Sequence, residues 1–149
     1  MARSTNPSDG ATVAQSDRTV TLSAGQAVVE AARTKASQIG VPMNIAVVDE
    51  GGNLVAFARM DDAWLGSIDI AQGKAYTARA FDMPTKDLAP LAQPGGPLYG
   101  IEASNHGRVI VFPGGIPLVF GARVVGAIGV SGGSVDQDQE VAEAGVAAF

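Results

Sequence analysis

The sequence contains no cysteine, and its 149 residues include one histidine and one tryptophan. Without cysteine the chain has neither a disulfide framework nor thiolate chemistry. Basic residues are also scarce, since ten Lys and Arg stand against fifteen Asp and Glu and give a net charge of −5. Nucleic acids and anionic membrane surfaces both bind through clusters of basic residues, so we expect neither as a partner.

Long hydrophobic runs are missing as well. No apolar run approaches the roughly 18 residues that a membrane span requires, and the N-terminus lacks the apolar region of a secretory signal. We therefore expect a cytoplasmic protein. Residues 1–20 are polar without periodicity, so we interpret them as a flexible N-terminal arm. Residues 21–149 have the length of a single domain with its own core.

Glycine is abundant, with 19 copies, and it divides the C-terminal half into short segments. The runs 108–112, 116–120 and 123–131 are rich in β-branched and aromatic residues and lie between Gly and Pro breaks. The connections are too short for a crossover helix, so the runs predict an antiparallel meander. Two glycines inside the third run, Gly126 and Gly129, indicate that a helix, a ligand or another stretch of backbone comes close there.

The rest of the chain alternates between helical and strand patterns. Apolar residues at a spacing of three and four predict helices over 21–39, 67–81 and 134–149. Strands are predicted over 43–49 and 53–60, joined by the turn Glu50-Gly51-Gly52. The element order indicates an α+β fold with a five-stranded antiparallel sheet and helices on both faces.

Two charged residues fall on apolar helix faces. Lys74 lies in a row of the second helix that looks half buried, and Asp138 lies in the apolar stripe of the last helix. Lysine is seldom buried without a partner. If the two side chains meet, they could bind a carboxylate substrate or transfer a proton as a catalytic pair. The alternative is a structural ion pair that ties helix to sheet.

The other side of the second helix is polar and predicted to face water. It consists of Asp69, Gln72, Tyr76 and Ala80.

Three segments carry a family resemblance. Residues 73–78 (GKAYTA), 112–118 (FPGGIPL) and 125–133 (VGAIGVSGG), the last followed by Asp138, resemble the GlcG/HbpS family of haem-binding and haem-degrading-type domains. That family also includes the C-terminal domain of PduO-type proteins. The resemblance covers about residues 20–149 and implies a profilin-like α/β/α fold, a homo-oligomer and haem as the candidate cofactor.

Haem iron requires an axial ligand, and His106 is the default choice because histidine is a common one. Its alternative is an exposed loop histidine, since a single imidazole is weak evidence for a metal site. Tyr99 and Tyr76 are further possible oxygen ligands, and the alternative, which the residues favour, is that they pack in the core or lie on the surface.

The remaining candidates are backbone donors and polar residues near the glycine-rich strands. Gly114 and Gly115 could offer N–H groups to an anion, or simply form a turn. Ser131 precedes the N-terminus of the last helix, which is a natural anion site. Arg59 and Asp61, at the end of the second strand, could line the same pocket as these anion-binding groups, or they could form a surface ion pair.

These observations leave three functional hypotheses. The first is a haem- or small-molecule-binding domain. The second is a cofactor-independent enzyme that acts on a small oxygenated metabolite through Lys74 and Asp138. The third is an oligomeric scaffold protein.

Overall fold

The computed structural model describes residues 18–149. In chain order the elements are helix α1 (Leu22–Ile39), strands β1 (Asn44–Asp49) and β2 (Leu54–Arg59), helices α2 (Gly66–Phe81) and α3 (Thr85–Leu88), strands β3 (Gly115–Phe120) and β4 (Arg123–Ser131), and helix α4 (Val135–Ala147). Single 3₁₀ turns at Ala89–Ala92, Ile101–Ala103 and Asn105–Gly107 lie between α3 and β3.

The strands form one antiparallel sheet in the order β2-β1-β4-β3. β1 and β4 lie at the centre, and every residue of β4 from Val125 to Ser131 is buried. The near-continuous apolar run of β4 thus has the covered, central position that its composition predicts.

Helices cover both faces of the sheet. On one face, Ala71, Ala75 and Ala78 of α2 pack against β1 and β4. On the other face, α1 and α4 share a larger cluster with the sheet, to which Val28 and Val141 belong. The small side chains on α2 allow its backbone to lie very close to the strands.

Gly129 shows how close this approach is. A Cβ atom on Gly129 would collide with the carbonyl oxygen of Ala71 and the backbone nitrogen of Ala75. The absence of a side chain on Gly129 is therefore a condition for the seating of α2, as the sequence pattern indicates.

The prediction of a fifth strand is wrong, because residues 108–112 do not join the sheet. The N–H of Ile110 donates to the hydroxyl of Thr77 on α2 at 2.9 Å instead of to a neighbouring strand. The segment runs across α2 at Gly73, where a Cβ would lie 2.7 Å from Cγ1 of Ile110. Contact with a glycine on the helix replaces strand pairing, and periodicity alone does not reveal that choice.

The described part of the chain begins within the predicted arm. Residues 1–17 of that arm lie outside the described residues. Val20 is buried in the core, and its N–H donates to the carbonyl of Val125 at 3.1 Å. The core therefore extends to the residue just before the predicted domain start. Among residues 18–149, none of the helices combines the length and apolarity needed to cross a membrane.

Candidate functional site

Lys74 and Asp138 meet inside the protein. The ammonium of Lys74 lies 2.7 Å from Oδ2 of Asp138 and 2.8 Å from the carbonyl oxygen of Val130. It also lies 5.0 Å from the centre of the Phe112 ring, within cation–π distance. The two side chains are 0% and 3% exposed. The ammonium therefore has a partner on each side, and neither charge faces solvent.

Burial dominates the electrostatics of this pair. Desolvation lowers the pKa of Lys74 below its ordinary value, against the attraction of Asp138. It raises the pKa of Asp138, against the attraction of Lys74 and hydrogen bonds from the backbone of Gly133 and Gly132. Both shifts favour the neutral forms, because a charge is costly away from water. The pair has the perturbed character of an acid/base couple, and the same character is found in structural ion pairs.

The helix N-terminus beside the pair already has an anion. Oδ1 of Asp138 accepts a hydrogen bond from the N–H of Gly133 at 2.9 Å. Ser134 caps α4, and its side chain and that of Gln137 form the predicted capping box. The carboxylate that occupies this anion site therefore belongs to the chain itself.

The turn before β3 has its N–H groups engaged as well. Gly114 donates to the side-chain oxygen of Gln139 at 3.1 Å, and Gly115 donates to the Thr85 hydroxyl at 2.9 Å. Gly114 has φ +124°, and a Cβ on it would lie 2.8 Å from Nζ of Lys74. The glycine thus leaves room for the ammonium, which favours the turn and packing interpretation over an anion nest.

A cavity of about 460 Å³ opens on the other side of α2. Helix α2, the β1–β2 hairpin and the segment 107–110 enclose it. Its side-chain lining combines apolar and polar groups: Val48, Leu54, Ile70, Ile110, Asp69, Gln72, Tyr76 and Arg108. A second hollow of about 250 Å³ adjoins it and shares Gly52 and Tyr76. Neither Lys74 nor Asp138 lines either hollow.

A polar network holds the mouth of this cavity. The Tyr76 hydroxyl donates to the side-chain oxygen of Asn105 at 2.7 Å and accepts from Nη2 of Arg108 at 3.1 Å. The Arg108 guanidinium lies 3.9 Å from the centre of the Tyr76 ring. Nε of Arg108 donates to the carbonyl of Asn105 at 3.0 Å. These contacts fasten the loop to helix α2.

The loop itself has an unusual backbone. Asn105, His106 and Gly107 are all left-handed, with φ values of 52°, 59° and 75°. Only glycine adopts this conformation freely, and a residue with a larger side chain costs of order 1–3 kcal/mol there. His106 is exposed at the tip of this loop, immediately before Gly107 and Arg108, which line the cavity. Strain of this kind concentrates at functional sites.

The other candidate residues do not gather around either hollow. The Arg59 guanidinium donates to the carbonyl of Ala63, at 3.3 and 3.1 Å, and no ion pair with the exposed Asp61 forms within the described residues. Tyr99 is 68% exposed. Ser131 is buried opposite Asn44 in the sheet. None of the four lines either hollow, and their binding roles stay predictions.

Sequence reasoning missed most of the cavity. Asp69, Gln72 and Tyr76 belong to the helix side predicted to face water, yet all three line the cavity. Asp69 and Ala80 are exposed, as predicted, whereas Gln72 and Tyr76 are half-buried, because the segment predicted to be a strand crosses α2 beside them. The sequence held one signal for this site: a tyrosine on the helix, Tyr76, and a polar Asn-His-Gly-Arg loop at 105–108 whose side chains can hydrogen-bond and stack on it. Among residues 18–149, no group of three or more His, Cys, Asp or Glu could hold a metal ion.

Comparison with known proteins gives a consistent picture. Residues 20–147 match the family model described as haem degrading protein HbpS-like. An uncharacterized 15.0 kDa protein of Citrobacter freundii, from the dhaT-dhaS intergenic region, is 43% identical over 88% of this chain and 92% of its own length. The crystal structure of a PduOC:haem complex is 39% identical with a TM-score of 0.81, covering 83% of this chain and 90% of that one. A double mutant of Streptomyces reticuli HbpS is 31% identical with a TM-score of 0.81, covering 100% and 99%.

Proposed function

The chain belongs to the HbpS-like family, and from that premise we propose that it binds haem or a ligand of similar size and shape in the cavity beside Tyr76. The observation that carries the proposal is the cavity of about 460 Å³ with apolar walls and a polar mouth. Small-molecule sites commonly measure about 300–1,000 Å³ and combine apolar walls with a few polar groups. The haem complex of the related PduOC domain supports the ligand class.

The residues around the cavity fit a haem edge. Val48, Leu54, Ile70 and Ile110 offer an apolar surface for the macrocycle, and Arg108 offers a cation at the mouth. His106 does not line the cavity; it stands exposed on the strained loop, directly before Gly107 and Arg108, which do. Bound haem would supply an iron centre, for which histidine is a common protein ligand and tyrosine a known one. We propose His106 as the iron ligand, with Tyr76 as the alternative.

Absorbance titration with hemin tests the proposal. We expect a shifted Soret band on addition of hemin to the wild-type protein. His106→Ala should change that spectrum because the iron loses its ligand, whereas Tyr76→Phe should leave it unchanged. If only Tyr76→Phe changes the spectrum, tyrosine is the ligand; if neither does, both assignments fail.

A matched pair of substitutions tests the location. Gln72 lines the cavity from α2, so Gln72→Trp should fill it and weaken hemin binding. Gln26 is exposed on α1, on the opposite side of the sheet, so Gln26→Trp should bind hemin like the wild type. Equal hemin affinity in both variants would place the ligand elsewhere.

The acid/base alternative rests on the contact between Lys74 and Asp138. A substrate would need to reach an ammonium that is 0% exposed, and both of its partners belong to the protein. The geometry favours a structural ion pair, and the catalytic role stays a prediction. A Lys74→Met variant that folds but loses a measured activity would support it.

Self-association is a separate prediction, and exposed apolar side chains favour it. Trp64 and Leu65, on the loop before α2, are 67% and 73% exposed. Large contiguous apolar patches mark protein contacts, and these two neighbouring side chains would contribute to one. Light scattering coupled to gel filtration would give the mass. A monomer at all concentrations would contradict both the homo-oligomer and the scaffold hypothesis.

A further inference from the structure

Arg108 has hydrogen-bonding capacity that the protein does not use. A guanidinium has five N–H donors in a planar fork. Two of its nitrogens donate inside the loop network, Nε to Asn105 and Nη2 to Tyr76. No other hydrogen bond from this side chain is made to the described residues, and none of their carboxylates lies within ion-pair distance of it. The rest of the fork is free at the cavity mouth.

The free fork is held in a defined position. Stacking on the Tyr76 ring at 3.9 Å fixes its plane, and the two hydrogen bonds fix its rotation. Arginine held in this way loses little entropy when it binds a carboxylate through two parallel N–H groups. Gly107 and Arg108 line the cavity together, so a ligand inside it lies beside this cation.

Charge in the cavity is distributed unevenly. Asp69 lines the same cavity from the first turn of α2. Its negative charge would repel a carboxylate of the ligand placed near it. A ligand with an apolar body and a carboxylate on one edge therefore fits best with that edge at Arg108.

We infer that Arg108 is a specificity-determining residue that binds a carboxylate on the edge of the ligand in the Tyr76 cavity. The inference rests on the proposed function, because it requires a ligand in that cavity. It goes further by naming the group of the ligand that is recognised and the residue that recognises it. For haem the recognised group is a propionate.

Hemin and its dimethyl ester separate the carboxylate contact from the rest of binding. The ester keeps the iron and the ring but removes the negative charges. We expect Arg108→Met to weaken hemin binding about tenfold or more, the usual scale for a lost charge-assisted hydrogen bond. Binding of the ester should change less than about twofold, since no charged pair is lost. Arg108→Lys should fall between wild type and Arg108→Met for hemin, because it keeps the charge and loses the fork.

A matched control and a folding check complete the experiment. Arg33→Met, on α1 and paired with Glu30, should leave both affinities unchanged. Thermal unfolding of each variant verifies that the fold is intact. An equal loss of hemin and ester binding in Arg108→Met would overturn the inference, since Arg108 would then only hold the loop. Wild-type protein that binds hemin and ester alike would overturn it while leaving the proposed function intact. Wild-type protein that binds neither would overturn both.

Discussion

The hydroxyl of Thr77 accepts a hydrogen bond from the backbone N–H of Ile110 at 2.9 Å and donates one to the carbonyl of Gly73 at 2.7 Å. One buried side chain on α2 therefore fastens the segment that crosses the helix. That segment is a wall of the cavity, so the shape of the proposed binding site depends on this contact.

Replacement of this hydroxyl should be measurable. Thr77→Val keeps the shape of the side chain but leaves the Ile110 N–H unpaired, so we expect a loss of about 1–3 kcal/mol in the free energy of unfolding. Urea denaturation provides the measurement. Thr77→Ser, which retains the hydroxyl, should be closer to the wild type. A Thr77→Val protein of full stability would show that the N–H finds another partner.

Breaking the buried ion pair should be more costly. Lys74→Met leaves the Asp138 carboxylate buried and uncompensated, so we expect a loss of about 3–5 kcal/mol in unfolding free energy. Chemical denaturation measures the loss. Because neither residue lines the cavity, hemin affinity of the folded fraction should stay near the wild-type value.

The double variant provides the control for this prediction. Lys74→Met with Asp138→Leu removes both charges, and we expect it to be more stable than Lys74→Met alone, since no lone charge remains. The single variant Asp138→Leu completes the comparison. If the loss of unfolding free energy in the double variant equals the sum of the losses in Lys74→Met and Asp138→Leu, the two residues are not coupled. The 2.7 Å contact then contributes nothing to stability.

The raised pKa of Asp138 predicts a dependence of stability on pH. An aspartate in an unfolded chain titrates at about 3.9, and in the folded protein burial raises the pKa of Asp138 above that. Between the two values the folded chain holds a proton that the unfolded chain has released. The contribution of Asp138 to unfolding free energy therefore falls as the pH rises through this interval.

Asp138→Asn removes that titration, so the difference between wild type and variant isolates it. Urea denaturation of both proteins at several acidic pH values should show the wild type losing stability relative to Asp138→Asn as the pH rises. A difference of the opposite sign would mean that attraction by Lys74 outweighs burial and that the pKa of Asp138 is lowered.

The strained loop predicts a conflict between stability and binding. His106 has φ 59°, so His106→Gly should be about 1 kcal/mol more stable than His106→Ala, which keeps a Cβ in the left-handed conformation. Thermal and urea unfolding compare the two. If His106 is the iron ligand, both variants should show the same altered Soret spectrum. Equal stability of the two variants would mean that the loop relaxes at no cost.

The fold was largely predictable where local patterns repeat. The helical spacing of Val28, Ala32 and Ala36 places α1 against the core, and the Gly-bounded apolar run of β4 identifies a central strand. Ser134 and Gln137 identify the start of α4 through a capping box. In each case the signal comes from neighbouring residues, and local geometry determines the outcome.

The charged pair could be predicted in part. Lys74 and Asp138 each stand out because charge is rare on an apolar helix face. Their meeting also requires Gly114 to leave room, which depends on how residues 64 positions apart are packed. Whether the pair faces a pocket or the interior is a property of that packing.

By itself, the sequence determined the acidic, cysteine-free composition, the positions of most helices and strands, and the two charges that belong inside, because each follows from the chemistry of a few neighbouring residues. Only the tertiary structure decided that residues 108–112 lie outside the sheet and cross α2 at Gly73, where Arg108 stacks on Tyr76. The physical reason is competition between contacts of similar strength. The N–H of Ile110 has an acceptor either on a neighbouring strand or, as here, in the Thr77 hydroxyl, and only long-range packing chooses between them.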